Sequence, residues 1–151
     1  MPEIDHLFPV RIQRGTAGAV RAYVRTQTFD VGSQASLRET DDSPSAVEYL
    51  IGALGGDLVC GFERAAEGVG VPVHGIEISL SGRLDNILSH LGVVGEQGHP
   101  GLASIEGTAY IGSDADEAVV ERAWQRTLER SPLYQTLTRC AAVSITLKVV
   151  R

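Results

Sequence analysis

The chain has 151 residues, with 13 basic and 19 acidic residues and a formal net charge of −6. A chain of this length buries about 70% of the surface that its unfolded form exposes, so it can hold a core without metals or disulfides. The acidic balance argues against nucleic acid as a partner, and no apolar segment approaches the ~20 residues that span a bilayer, so we expect no membrane partner either.

The first third of the chain is predicted to form two strands followed by a polar loop. Val10–Ile12 and Val20–Phe29 have the composition of strands, and apolar and polar residues alternate with a period of two in the second of them. Residues 15–18 (GTAG) predict a hairpin connection between the two strands. Residues 30–43 are mostly polar, which is typical of a loop.

A long amphipathic helix is predicted next, ending at Gly68. Pro44 suits the first helical position with Ser43 as the N-cap, and a second possible start is the capping box that Ser45 forms with Glu48. Apolar residues then recur at three- and four-residue steps: Val47, Leu50, Ile51, Leu54, Leu58, Phe62 and Ala65. The helix also contains several glycines, which indicates that another backbone approaches it closely: Gly52, Gly55, Gly56 and Gly61.

The remaining half of the chain predicts three strands and a second amphipathic helix. Strands are expected over Val71–Gly82, Leu102–Ile111 and Ala141–Val149, with a helical turn at Ile87–Leu91. Ser113 or Asp114 is expected to cap the second helix, Trp124 and Phe62 are expected in the core, and Ser131-Pro132 ends the helix. The order β-β-α-β-β-α-β, without repeats or linkers, predicts one α+β domain over residues 1–151.

Few residues carry recognisable metal, cofactor or export chemistry. The two cysteines, Cys60 and Cys140, are too few for a disulfide scaffold and are expected to be free thiols in a reducing cytosol. The four histidines have no metal-binding spacing, and no phosphate-binding glycine loop is visible, so we expect neither a metal nor a cofactor. The acidic N-terminus lacks the basic start of a signal peptide, which favours a cytoplasmic location.

Four blocks of the chain, in order, resemble one protein family. Residues 43–56 (SPSAVEYLIGALGG) resemble the helix that carries the first redox cysteine of the osmotically inducible protein C / organic hydroperoxide resistance (OsmC/Ohr) family. Residues 82–85 (GRLD) and 100–105 (PGLASI) resemble the strand end and the strand that follow that helix. Residues 131–137 (SPLYQTL) are similar to the segment that carries the second redox cysteine.

This resemblance implies both a fold and a chemistry. OsmC-like proteins are α+β proteins that form an intertwined homodimer, with long helices packed centrally against antiparallel sheets. Members of this stress-response family act as thiol-dependent hydroperoxide reductases: a thiolate attacks the hydroperoxide, and the resulting sulfenic acid condenses with the second cysteine. The family also uses an arginine from an N-terminal strand, for which Arg14, Arg21 and Arg25 are all candidates.

The sequence departs from the family at both redox positions. Alignment on residues 50–56 puts Asp57 at the position of the first cysteine and Ser131 at the position of the second. Neither residue can form a sulfenic acid or a disulfide. We therefore expect an OsmC-like homodimer that has lost the two-cysteine reductase site and keeps an interfacial pocket for a small hydrophobic or peroxide ligand.

Each candidate site residue also has a purely structural interpretation. Burial of Asp57 would favour a protonated carboxyl group able to act as general acid or base, whereas the structural alternative is a hydrogen bond to nearby backbone or to an arginine. Ser131 would need a base to act as a nucleophile, and the alternative is that it caps a helix end.

Cys60 is the third candidate catalytic residue, because it lies one helical turn after Asp57. A register shifted by three residues would place Cys60 at the first cysteine position, although that shift would misalign residues 50–56. The alternative function is then a one-cysteine, thiol-dependent organic hydroperoxide peroxidase, and a further alternative is a structural dimer without catalysis. A nearby carboxylate disfavours the thiolate, and a small buried apolar residue is the structural interpretation of Cys60.

Overall fold

The computed structural model describes residues 6–16, 18–33 and 42–151. Residues 1–5, 17 and 34–41 lie outside this description, and with them lie most of the acidic N-terminus, part of the predicted hairpin connection and much of the predicted polar loop. The chain divides into two compact units, Met1–Tyr49 and Leu50–Arg151. No helix in the described ranges combines the length and apolar character that crossing a membrane requires.

The first unit contains a three-stranded antiparallel sheet in the order β1-β2-β3, formed by Arg11–Arg14, Val20–Val24 and Gln27–Val31. The single strand predicted over Val20–Phe29 is therefore wrong, because the chain turns back after Val24. Arg25 makes this turn with a φ of 55°, a left-handed conformation that non-glycine residues rarely adopt.

Helix α1 spans Ala46–Val69 and begins with the capping box. The Ser45 N–H donates to Glu48 Oε2 at 2.7 Å, and the Glu48 N–H donates to Ser45 Oγ at 3.3 Å. The predicted start with Ser43 as N-cap and Pro44 in the first turn is wrong, since Ser45 takes the cap position and satisfies the free N–H groups reciprocally. These bonds from Ser45 also lower the pKa of Glu48.

The second unit holds the rest of α1 and six further elements. They are β4 (Gly75–Leu84), α2 (Ile87–His90), β5 (Leu102–Gly112), α3 (Glu117–Arg130), α4 (Pro132–Leu137) and β6 (Ala142–Val150). The sheet has the order β4-β5-β6. Strands β4 and β5 are antiparallel, but β5 and β6 are parallel, which corrects the expectation of purely antiparallel sheets. The reason is the connection: α3 and α4 form a crossover that returns the chain in the same direction.

The core of this unit lies between the sheet and the two long helices. Its buried side chains include Leu54, Leu58, Phe62 and Ala66 of α1, Val120, Ala123 and Trp124 of α3, and Ile105, Ala109 and Ile111 of β5. The rings of Phe62 and Trp124 lie 6.2 Å apart, so the prediction that both are core residues is confirmed. The sequence predicts Leu50 on the buried stripe of α1, but Leu50 is 38% exposed. The first buried residue of this helix is Leu54.

Close helix packing occurs at one of the glycines of α1. A side chain at Gly61 would meet the Thr127 methyl group of α3 at 3.1 Å, so the absence of a side chain lets the two helices approach. An added Cβ at Gly52 or Gly56 would meet no atom of the described residues within 4 Å. The neighbour at Gly61 is therefore a side-chain methyl group and not the predicted backbone, while Gly52 and Gly56 face open space among the described residues.

The N-cap of α3 differs from the prediction, whereas the end of the helix at Ser131 agrees with it. Asp116, rather than Ser113 or Asp114, is the N-cap and accepts the Ala118 N–H at 3.1 Å. The buried Ser113 hydroxyl donates instead to the Pro72 carbonyl at 2.6 Å. Ser113 thus ties the end of β5 to the segment before β4.

Candidate functional site

Asp57 and Ser131, two of the candidate site residues of the sequence, are in direct contact. Ser131 Oγ donates a hydrogen bond to Asp57 Oδ2 at 2.5 Å, although the residues are 74 positions apart in the chain. Asp57 lies on α1 and is half-buried, and Ser131 joins α3 to α4 and is 4% exposed. The fold therefore brings these two positions to hydrogen-bonding distance.

Ser131 is held by the junction of the two helices. Its N–H donates to the Thr127 carbonyl at 2.9 Å, which closes the last turn of α3. Its hydroxyl accepts the Tyr134 N–H at 3.0 Å, and Pro132 occupies the first position of α4. Proline is favoured there because its φ is already helical and the missing N–H needs no partner. The Ser131 side chain is thus fixed between one donor and one acceptor.

Asp57 also contacts the start of α4. Its Oδ2 receives, besides the Ser131 hydroxyl, a long contact of 3.5 Å from the Leu133 N–H. A carboxylate at a helix N-terminus satisfies free N–H groups and interacts favourably with the helix dipole. The two structural interpretations are therefore both observed: Ser131 caps a helix, and Asp57 hydrogen-bonds to neighbouring backbone.

An open cavity of about 160 Å³ lies beside this pair. Asp57 and Ser131 form part of its wall, together with Gly61 and Thr127 at the close crossing of α1 and α3. The remaining wall is lined by Ala65 and by three arginines: Arg64, Arg126 and Arg130. The cavity thus exists within the second unit.

The cavity wall carries a local excess of positive charge. Three of the lining residues are arginines and one is an aspartate, while the whole chain has a net charge of −6. Within the described part of the chain, ion pairs form between Arg21 and Asp30 and between His74 and Asp114, and none involves the three cavity arginines. Asp57 forms no ion pair with them in this part of the chain; its Oδ2 accepts the Ser131 hydroxyl and lies 3.5 Å from the Leu133 N–H.

Sequence reasoning missed these arginines. Arg64, Arg126 and Arg130 are not among the candidate site residues predicted from the sequence, and all three are exposed. One available signal was the four-residue spacing of Arg126 and Arg130, which puts two like charges on one helical face at a cost in helix stability. Nothing local to the sequence predicts that Arg64, on another helix, lines the same cavity.

The two cysteines lie apart from this arrangement. Cys60 is an exposed free thiol on α1, which corrects the interpretation of Cys60 as a small buried residue, and it does not line the cavity. Cys140 is also free and exposed, and its Sγ contacts the Leu137 carbonyl at 3.4 Å.

The candidates for the family's arginine belong to the first unit. Arg21 Nε donates to Asp30 Oδ1 at 2.7 Å and its second nitrogen donates to Oδ2 at 3.1 Å, a paired contact across β2 and β3. Hydrogen bonding to Arg21 lowers the pKa of Asp30. Arg14 is exposed at the end of β1, and Arg25 makes the turn after β2. Among the three, Arg21 is thus engaged in an ion pair.

A comparison with family models identifies the chain. The model for OsmC-like protein matches residues 39–147, which is most of the chain. The chain belongs to the OsmC-like family. A comparison with curated proteins finds no match.

Solved structures agree with this assignment at the level of the fold. An OsmC-like protein from Mycoplasma pneumoniae aligns with a TM-score of 0.82 at 13% identity, covering 98% of this chain and 100% of that one. An organic hydroperoxide resistance protein OsmC from Legionella pneumophila gives 0.72 at 10% identity, with 97% and 99% covered. OhrB of Bacillus subtilis, also an organic hydroperoxide resistance protein, gives 0.62 at 16% identity, with 95% and 98% covered. The predicted α+β, OsmC-like fold class is confirmed.

Proposed function

We propose that this OsmC-like protein binds a small molecule at the Asp57–Ser131 site and has lost the two-cysteine hydroperoxide reductase reaction of its family. The single observation that carries the proposal is the 2.5 Å hydrogen bond between Ser131 Oγ and Asp57 Oδ2. A redox pair of cysteines must approach closely enough to form a disulfide. The contact between Asp57 and Ser131 supports the alignment in which oxygen atoms stand where the family has sulfur.

The chemistry of the pair supports binding rather than peroxide reduction. A carboxylate and a hydroxyl cannot pass through the sulfenic acid and disulfide on which the two-cysteine reaction depends. Ser131 has a carboxylate as its acceptor and a backbone N–H as its donor, and no histidine is bonded to it in residues 42–151. A serine nucleophile usually needs such a base. The neighbouring cavity supplies the space for a ligand.

We infer that the protein acts as a cytoplasmic homodimer. Support comes from α1, where Gly52 and Gly56 lie four residues apart and are both exposed. The large apolar Leu50 is also 38% exposed on this helix. Small residues at this spacing let the backbone of a second helix approach closely. Light scattering that gives twice the mass of the chain is the expected result, and a monomer would contradict the inferred dimer.

Peroxide consumption tests the proposed loss of reductase activity. The purified protein would be given excess dithiol and tert-butyl or cumene hydroperoxide, with Cys60→Ser and Cys140→Ser as matched variants. We expect the wild type and both variants to consume peroxide no faster than the reagents alone. Turnover in the wild type that vanishes in Cys60→Ser would overturn the proposal.

Exposure of Cys60 makes a one-cysteine peroxidase the second candidate function. Its thiolate would take one oxygen from the hydroperoxide, releasing an alcohol and leaving a sulfenic acid. Two external thiol groups would then reduce that acid to the Cys60 thiol and water and would themselves be oxidised to a disulfide, because Ser131 cannot resolve the acid. Mass spectrometry after excess peroxide separates the candidates: persistent oxygen addition at Cys60 would favour the peroxidase, and an unmodified Cys60 would exclude it.

A further inference from the structure

We propose that the cavity beside Asp57 and Ser131 binds a small dianion, such as a phosphate monoester or a short dicarboxylate, through Arg64, Arg126 and Arg130. This inference rests on the proposed binding function and names the class of ligand.

The charge balance favours two negative charges on the ligand. The three arginines contribute three positive charges, and Asp57 contributes one negative charge. None of the arginines has an ion-pair partner among residues 6–16, 18–33 and 42–151. Since Arg126 and Arg130 are one helical turn apart, they repel each other until an anion lies between or above them. A dianion balances the excess positive charge that the three arginines leave after Asp57 is counted.

Within residues 42–151, Asp57 forms no ion pair with the three arginines. Its Oδ2 atom is already engaged in other contacts. Oδ2 accepts the Ser131 hydroxyl at 2.5 Å and lies 3.5 Å from the Leu133 N–H. The pair therefore forms one wall of the cavity without closing it to an anion. In the described ranges, no side-chain hydrogen bond or ion pair engages Arg64, Arg126 or Arg130, so their donors are available.

Arginine also determines which anions are suitable. Its planar guanidinium donates two parallel hydrogen bonds to a carboxylate or a phosphate, which a lysine cannot do. The cavity volume of about 160 Å³ is well below that of a site for a drug-sized ligand. The site therefore suits a compact ligand whose charged oxygens make up much of its surface.

Binding by three probes tests the charge requirement. Isothermal titration calorimetry at constant ionic strength would use inorganic phosphate and succinate as dianions and acetate as the monoanion. We expect both dianions to bind and acetate to bind at least about tenfold more weakly. Binding of phosphate alone would restrict the ligand class to phosphoryl groups, and binding of succinate alone to dicarboxylates. Equal affinity for acetate would overturn the proposal.

Arginine variants test the location. Arg126→Gln/Arg130→Gln and Arg64→Gln are each expected to weaken dianion binding by about tenfold or more. Arg122→Gln is the matched control, because Arg122 lies one turn before Arg126 on the same helix but does not line the cavity. Equal loss in Arg122→Gln would reveal a general charge effect, and unchanged binding in the cavity variants would also overturn the proposal.

Thermal unfolding gives a second measurement and separates the two proposals. Dianions should raise the unfolding temperature of the wild type and of Arg122→Gln more than that of the cavity variants, since a ligand of the native state stabilises it. A uniform rise would report only the general effect of phosphate on protein surfaces and would contradict the site. Absence of dianion binding together with absence of peroxide turnover would reject the ligand class but leave the proposed loss of reductase activity standing.

Discussion

Two serine–carboxylate hydrogen bonds in this chain use the same groups over different distances. Ser45 and Glu48 are three residues apart and exposed at the start of α1. Ser131 and Asp57 are 74 residues apart, and Ser131 is 4% exposed beside a cavity. In both pairs the serine is a helix N-cap. The Ser45–Glu48 contact stabilises the start of one helix, whereas the Ser131–Asp57 contact joins two helices at a candidate site.

The difference lies in what each carboxylate completes. Glu48 returns a hydrogen bond to the N–H of its own cap, so the capping box is self-contained. Asp57 reaches the cap of another helix, and its removal leaves a buried hydroxyl without an acceptor. An unsatisfied buried polar group costs more than a lost exposed hydrogen bond. Changes at the second pair should therefore have the larger effect.

The largest expected effect is that of Ser131→Ala. This change removes the N-cap of α4 and the donor to Asp57, and we expect the free energy of unfolding to fall by about 2 kcal/mol. Ser45→Ala is the matched control, with an expected loss of about 1 kcal/mol or less. Urea denaturation monitored by circular dichroism measures both values. A larger loss of unfolding free energy in Ser45→Ala than in Ser131→Ala would contradict the expectation that the long-range pair contributes more to stability.

A double-mutant cycle measures the long-range bond itself. Asp57→Asn keeps the shape of the side chain and weakens the charged acceptor, so it should lower the free energy of unfolding in the wild-type background. The same change in the Ser131→Ala background should cost less, giving a coupling energy of about 1 kcal/mol. Additive losses would mean that the contact at 2.5 Å does not contribute to stability.

The smallest expected effect is the pH dependence of the Ser45–Glu48 pair. Hydrogen bonds from Ser45 lower the pKa of Glu48 below its ordinary value of 4.5. Because the folded pKa is lowered, the stabilisation is present above the unfolded pKa and is lost as the pH falls through the folded value. The stability difference between wild type and Glu48→Gln should therefore shrink on acidification. A difference in the free energy of unfolding that stays constant as the pH falls through the folded pKa of Glu48 would contradict a contribution of this pair to stability.

The two pairs also differ in what the sequence alone predicts. The spacing of Ser45 and Glu48 is sufficient to propose the capping box, because the contact is local. No periodicity connects Asp57 to Ser131, and only the family resemblance predicted that they meet. The three cavity arginines were not predicted for the same reason: helical spacing places Arg126 and Arg130 on one face but carries no information about Arg64.

In the fold, too, local features were predicted from the sequence and long-range features were not. Alternation predicted the later strands correctly: β5 was expected over Leu102–Ile111 and spans Leu102–Gly112. The turn between β2 and β3 has Arg25 and Thr26, with no glycine, proline or asparagine, so Val20–Phe29 was predicted as one strand. The parallel pairing of β5 with β6 depends on the crossover through α3 and α4, which no residue pattern within the strands records.

The most direct test of the central claim restores sulfur at both positions. In a Cys60→Ser/Cys140→Ser background, Asp57→Cys/Ser131→Cys would be treated with tert-butyl hydroperoxide and analysed by intact and peptide mass spectrometry. One thiolate would take oxygen from the peroxide to form a sulfenic acid, and the second thiol would displace water to form a disulfide. Our account predicts a disulfide between residues 57 and 131, with no such product from either single-cysteine variant. A double variant that folds but forms no disulfide would contradict the assignment of these residues to the family's redox positions.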